Sequence, residues 1–168
     1  MIEVYTGNGK GKTTAAIGLA IRAMGHDQRV RMVQFMKGWE GYGELVTAKK
    51  IGLPIEQFGR KEFVDKDHPE ERDFELARDC FDRAMEIIEK RECDLLIIDE
   101  INVALEYGLL KLEDVLKLMD AIPSEMEVVL TGRYAHPAVL EKADLVTEMV
   151  EIKHPFREGI EARKGVEF

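Results

Sequence analysis

The feature that most constrains what this chain can fold into stands at its start. In "IEVYTGNGKGKTT", residues 2–14, an apolar β-prone run passes through three glycines into Lys12-Thr13-Thr14 and then a helical pattern. A strand that enters a helix through a glycine-rich loop turns backbone N–H groups inward around an anion, and the helix N-terminus adds partial positive charge. The spelling is offset, however. In G-x-x-x-x-G-K-[ST], with Gly11-Lys12-Thr13 as its last three positions, the leading glycine belongs at position 6. Thr6 stands there, followed by Gly7, Asn8 and Gly9. No G-x-G-x-x-G can be read from Gly7, Gly9 or Gly11, so a dinucleotide loop is the weaker reading. The order strand, loop, helix favours a phosphate-binding loop, with Lys12 neutralising phosphate oxygens and the Thr13 hydroxyl ligating a magnesium ion.

The same alternation continues along the chain. Short β-rich apolar runs fall at 2–6, 30–35, 95–98, 128–131 and 145–152, and helix-like segments at 13–24, 44–51, 70–91, 112–122 and 137–142. Such alternation favours an α/β fold, a parallel sheet sandwiched between helices. Its 168 residues suit one domain, 1–168. Residues 54–58 are a further candidate strand. "GRKEFVDKDHP", 59–69, is charged and aperiodic and is expected to be a mobile loop. "MKGWEGYGE", 36–44, follows a strand, where parallel α/β folds place binding loops; a surface turn is the plainer alternative.

A second motif complements the first. "CDLLIIDE" sets four apolar residues before Asp99-Glu100, at the carboxyl end of an expected strand. In nucleoside triphosphatases an aspartate so placed holds magnesium, directly or through water, and a following glutamate often prepares the attacking water. Two acids ending a strand are otherwise ordinary solvated loop residues. Paired with the glycine-rich loop, they point to a magnesium-nucleoside-triphosphate domain, a platform shared by kinases, hydrolases, motors and switches.

Composition narrows the partners. A formal net charge of −9 argues against general nucleic-acid binding, which draws on lysine and arginine. No apolar run approaches the roughly 20 residues that span a bilayer. No signal-peptide pattern opens the chain, so the cytoplasm is expected. Cys80 and Cys93 are too few for a disulfide framework or a four-ligand zinc site and are expected to be buried thiols. The scattered His26, His68, His136 and His154 are expected to be structural.

Further stretches carry a resemblance: "RAMGH" (22–26), "VQFMKG" (33–38), "LLIIDE" (95–100), "TGR" (131–133), "ADLVTEM" (143–149) and the tail "KHPFREGIEARKGVEF" (153–168). With "TGNGKGKTT", and in this order, they resemble the P-loop type cob(I)alamin (corrinoid) adenosyltransferases over nearly the whole chain. A loop whose glycine comes one place late is itself that family's form. The resemblance implies a three-layer RecA-like P-loop fold with a mostly parallel central sheet. It implies transfer of the 5′-deoxyadenosyl group of ATP to Co(I) of a reduced corrinoid, with the triphosphate lying reversed in the loop and leaving whole. It places the phosphates against Gly7, Asn8, Gly9, Lys10, Gly11, Lys12, Thr13 and Thr14. Lys12 and Lys10 would counter the leaving charge, Thr13 and Glu100 would ligate Mg2+ (or Mn2+), and Asp99 would act through water. Arg133 either contacts ATP or pairs with an acid. Phe63, in the loop 59–69, falls where relatives place an aromatic over the lower face of the corrin ring; some carry a tryptophan two residues later, where this chain has Asp65. The family often forms homodimers. The chain has no flavin or other reductase motif, so a separate donor, such as a reduced flavoprotein, is expected to reduce cobalt. The rivals are a P-loop ATPase or small-molecule kinase and a non-catalytic nucleotide-switched module.

Overall fold

Runs of Val, Ile, Leu and Met fill six strands: β1 (Ile2–Thr6), β2 (Val30–Phe35), β3 (Ile55–Phe58), β4 (Leu95–Asp99), β5 (Glu127–Thr131) and β6 (Leu145–Glu148). The computed structural model describes residues 1–166, so Glu167 and Phe168, the end of the tail stretch, lie outside the described residues. Among those described, the six strands form one sheet, in the order β3-β2-β4-β5-β1-β6. Every pairing is parallel, sharper than the mostly parallel sheet expected. β5 therefore separates β1, which carries the glycine-rich loop, from β4, which carries the acids.

The pleat sorts side chains into two layers. Along β4, Leu96 and Ile98 join one cluster while Leu95 and Ile97 join the other. The first cluster is covered by α3 (Glu71–Lys90), α4 (Ile101–Glu106), α5 (Leu112–Ala121) and α6 (Pro137–Lys142), the second by α1 (Lys12–Met24) and α2 (Gly43–Ile51). In α1 the buried positions Ala16, Ala20 and Ala23 recur at helical spacing, so the helix lies close on Met32, Ile97 and Val129. α3 turns Ala77, Cys80, Phe81, Ala84, Ile87 and Ile88 inward. Its start is held by a capping box between Glu70 and Asp73. Both cysteines are buried free thiols, as expected, and burial pushes Cys93 up to about 11. None of the described helices is long and apolar enough to cross a membrane.

Two differences from expectation bear on the site. The sequence pattern does not show α4: "INVALE" is too short to display a helical stripe, and the left-handed backbone of Glu100 (φ 62°) is what ends the strand and turns the chain into a helix. β6 stops at Glu148 instead of reaching Ile152. Beyond it the Met149 N–H donates to the Thr6 carbonyl at 2.9 Å, and the Met149 carbonyl accepts from the Gly9 N–H at 2.6 Å. The chain has left the sheet to follow the glycine-rich loop. Residues 59–69 contain no helix or strand.

Candidate active site

The offset glycine has a structural cause. Thr6 still belongs to β1, in register with Glu148 of β6, and the turn begins only at Gly7, where φ is 93°. A leading glycine is needed where the chain leaves the strand, and here it leaves one residue later. A Cβ at Gly7 or Gly9 would lie 2.5 or 2.6 Å from the Met149 carbonyl oxygen, so the loop lies directly on the chain beyond β6. Gly11, at φ 114°, caps α1, whose first residue is Lys12. The Lys12 Nζ donates to the Gly7 and Gly9 carbonyls at 2.8 and 2.7 Å. Burial lowers its proton affinity. Lys10 extends toward the tail and donates to the Val166 carbonyl at 2.7 Å. The Gly9 N–H, expected to face phosphate, is committed to Met149.

Beneath the loop lies a row of polar side chains that register predicts once the topology is known. Gln57 pairs with Gln34, and Gln34 with Asp99. Thr131 stands beside Asp99, one step beyond the pair Ile98 and Leu130. All lie at strand ends and, by the alternation of the pleat, face α1. Asp99 is fully buried and receives four donors: the hydroxyls of Thr13 (2.9 Å) and Thr131 (2.6 Å) at one oxygen, the Gln34 amide (3.0 Å) and Lys37 Nζ (2.8 Å) at the other. Gln57 in turn donates to Gln34 at 2.9 Å. Burial alone would raise the Asp99 carboxyl; the Lys37 charge and these hydrogen bonds outweigh it and hold the group below its ordinary range. Lys37 is raised in return: burial, the largest single effect, lowers it, but the Asp99 charge and hydrogen bond, with the charges of Glu100 and Glu44, together outweigh that.

Glu100 is the cap of α4, and its N–H donates to the Thr131 hydroxyl at 3.0 Å. Its carboxyl is raised, first by burial and then by the Asp99 charge. It opens on a cavity of about 700 Å³ that is also lined by the loop from Gly9 to Thr14, Lys37, Tyr42 and Arg133. Arg133 is close enough to favour the ionised form of Glu100. The structure thus brings Gly9, Lys10, Gly11, Lys12, Thr13, Thr14, Glu100 and Arg133 to one cavity; Gly7 and Asn8 are not in its lining, and Asp99 is buried behind Thr13. Phe63 is not in that lining; it is 92% exposed. Asp65 is also exposed and lies 3.6 Å from His68.

Lys37 and Gln34 were not identified as site residues from the sequence. The signal for Lys37 lay in the glycine-rich "MKGWEGYGE", whose Tyr42, Gly43 and Glu44 line the cavity. Gln34 inside an apolar strand gave no comparable sign.

Comparison with known proteins agrees with this geometry. A profile of the family described as ATP:corrinoid adenosyltransferase BtuR/CobO/CobP matches residues 1–168. A corrinoid adenosyltransferase of Pseudomonas aeruginosa is 39% identical over the whole chain, which covers 83% of that relative. One from Sinorhizobium is 40% identical, with 80% of it covered, and one from Escherichia coli 35%, with 85% covered. Among solved structures, a KaiC-like protein from Pyrococcus horikoshii superposes with a TM-score of 0.56 at 18% identity, over 88% of this chain and 71% of that one, a likeness of fold. Matched end to end, the chain belongs to the ATP:corrinoid adenosyltransferase family.

Proposed function

We propose that the protein transfers the 5′-deoxyadenosyl group of ATP to Co(I) of a reduced corrinoid, forming adenosylcobalamin and releasing triphosphate. The observation that carries this reading is the lining of the cavity: Lys12, Lys37 and Arg133 converge with Thr13 on a space for a polyanion, in a chain matched over its full length by this family. The cobalt lone pair attacks C5′, the cobalt–carbon bond forms, and the C5′–O bond breaks with its electrons leaving on the triphosphate. No proton has to be removed. That suits Asp99, whose carboxylate is occupied by four donors and is not poised as a base. Catalysis then consists of positioning and charge neutralisation.

In this reading the triphosphate lies reversed along the part of the loop that lines the cavity, Gly9 to Thr14. Lys12 exchanges its loop carbonyls for phosphate oxygens, and Lys10 and Arg133 add positive charge. The Thr13 hydroxyl and Glu100 carboxylate fit a hard divalent cation, Mg2+ or Mn2+, because they are oxygen donors on one cavity, with Asp99 acting through water. Such an ion, when bound, supplies further neutralisation of the leaving triphosphate. Phe63 covers the lower face of the corrin ring. The electrons for Co(I) come from a separate donor, a reduced flavoprotein, and the enzyme works as a cytoplasmic homodimer where ATP is abundant.

The test is the product. ATP mixed with chemically reduced cobalamin should give adenosylcobalamin and one intact triphosphate, followed by phosphorus NMR and the visible spectrum of the corrinoid. ADP appearing in step with turnover, without a cobalt–carbon bond, would replace this reading with that of a kinase.

A further inference from the structure

Phe63 projects from an arch whose two feet are tied to different elements. At one foot Arg60 grips the start of α3, its Nε 2.9 Å from Asp73 Oδ1 and its Nη1 2.7 Å from Glu70 Oε1. Val64, next to Phe63, turns inward among Met36, Phe58 and Ala77. At the other foot Lys66 reaches across the carboxyl edge of the sheet. Its Nζ lies 2.7 Å from Glu106 Oε1, 5.8 Å from the ring centre of Tyr107 and 5.7 Å from that of Tyr134.

Tyr134 is the unusual member. It has φ 61°, a left-handed conformation that an aromatic residue adopts only under strain, and half of its surface is exposed. It directly follows Arg133, which lines the nucleotide cavity. A ring held in this conformation yet left half in water contributes little to the core; its contact is the Lys66 ammonium. A staple that served only to fold the loop would turn the larger side chain inward. Here Val64 is turned in and Phe63 is left 92% exposed. The arch presents the phenyl ring, and Lys66 holds the arch to the same sheet edge that holds the nucleotide.

Given the adenosyltransferase reading, on which this inference rests, we propose that Lys66 is a positioning residue: seated between Tyr107 and Tyr134 and paired with Glu106, it latches the arch so that Phe63 and Tyr134 together form an apolar seat for the flat face of the corrin macrocycle. ATP, held by the phosphate loop, does not touch the latch.

The test compares the full-length protein with Lys66→Met, Lys66→Arg and Tyr134→Asn, measuring kcat, KM for cob(I)alamin, KM for ATP, melting temperature and hydrogen exchange in residues 59–69. Lys66→Met should raise the corrinoid KM about tenfold, equivalent to ~1.4 kcal/mol, with the ATP KM and melting temperature held and exchange in the arch accelerated. Lys66→Arg should restore most of the affinity, since a guanidinium also stacks on aromatic rings. Tyr134→Asn separates fold from function: asparagine tolerates the left-handed backbone, so the melting temperature should hold or rise while the corrinoid KM rises. An unchanged corrinoid KM in Lys66→Met, or equal rises in both KM values, would overturn the latch. A wild-type protein that forms no cobalt–carbon bond would overturn the adenosyltransferase reading itself, which keeps the two failures apart.

Discussion

Asp99 and Glu100 are adjacent in sequence and opposite in electrostatics. Four donors satisfy Asp99 and depress its proton affinity, whereas burial and the Asp99 charge raise that of Glu100. The stability Asp99 contributes is present above the ordinary aspartate pKa and is lost only as pH falls through its depressed value. Glu100 has the other sign. Its folded-state pKa lies above the ordinary 4.5, so the folded chain holds that proton more tightly than the unfolded one, and Glu100 subtracts stability as pH rises from 4.5 through the raised value. Glu100→Gln should therefore stabilise the protein in the presence of a chelator by on the order of 1 kcal/mol at pH 8 and by less at pH 4.5, while, on the proposed metal role, impairing turnover. Thermal melts at the two pH values check the sign; equal gains at both would show that charge is not the cause. The position of this pair was readable in the sequence, because two acids that close an apolar strand fall at the same sheet edge as the glycine-rich loop, where Thr13 meets Asp99. Gln34 was hidden because its role comes from the register of β2 against β4, which no local pattern encodes, whereas Lys37 lay in a glycine-rich stretch legible as a binding loop without showing which of its residues meets Asp99.

Among the elements, the phosphate loop and the chain beyond β6 are best considered together. The loop is shaped against Met149 and Val150, whose carbonyls a Cβ at Gly9 would meet at 2.6 and 2.9 Å. Gly9→Ala should destabilise the protein by roughly 2–3 kcal/mol and weaken ATP binding. Gly18, in the middle of α1, is the matched control: a Cβ there meets nothing within 4 Å, so Gly18→Ala should stabilise by about 0.5–1 kcal/mol. Chemical denaturation of both variants checks the contrast. This contact also explains the misplaced end of β6. "LVTEMVEI" stays β-prone and largely apolar through Ile152, while the contact with the distant glycine loop accompanies the chain's departure from the sheet after Glu148. α4 was missed for the converse reason: four of its six residues are buried, so the apolar run shows no helical stripe. β1, β2 and α6 have the expected bounds, since turn residues or a proline punctuate them.

At the scale of the molecule, sheet order determines what the chain can do and when. Strand and helix alternation was enough to anticipate a layered parallel α/β fold, but not which strands adjoin, because pairing across more than a hundred residues leaves no local trace. That order sets β1 between β5 and β6, the two strands latest in the sequence. A chain ending at residue 143 retains every residue of the glycine-rich loop, yet lacks β6 and Met149, and should fail to retain ATP in equilibrium dialysis. Retention would mean that the loop takes its shape unaided. A ribosome issues the loop well before the surface that shapes it, so on this prediction long-range closure precedes nucleotide capture. If the truncated chain fails to retain ATP, growing chains are likewise kept from sequestering it until the sixth strand has been made.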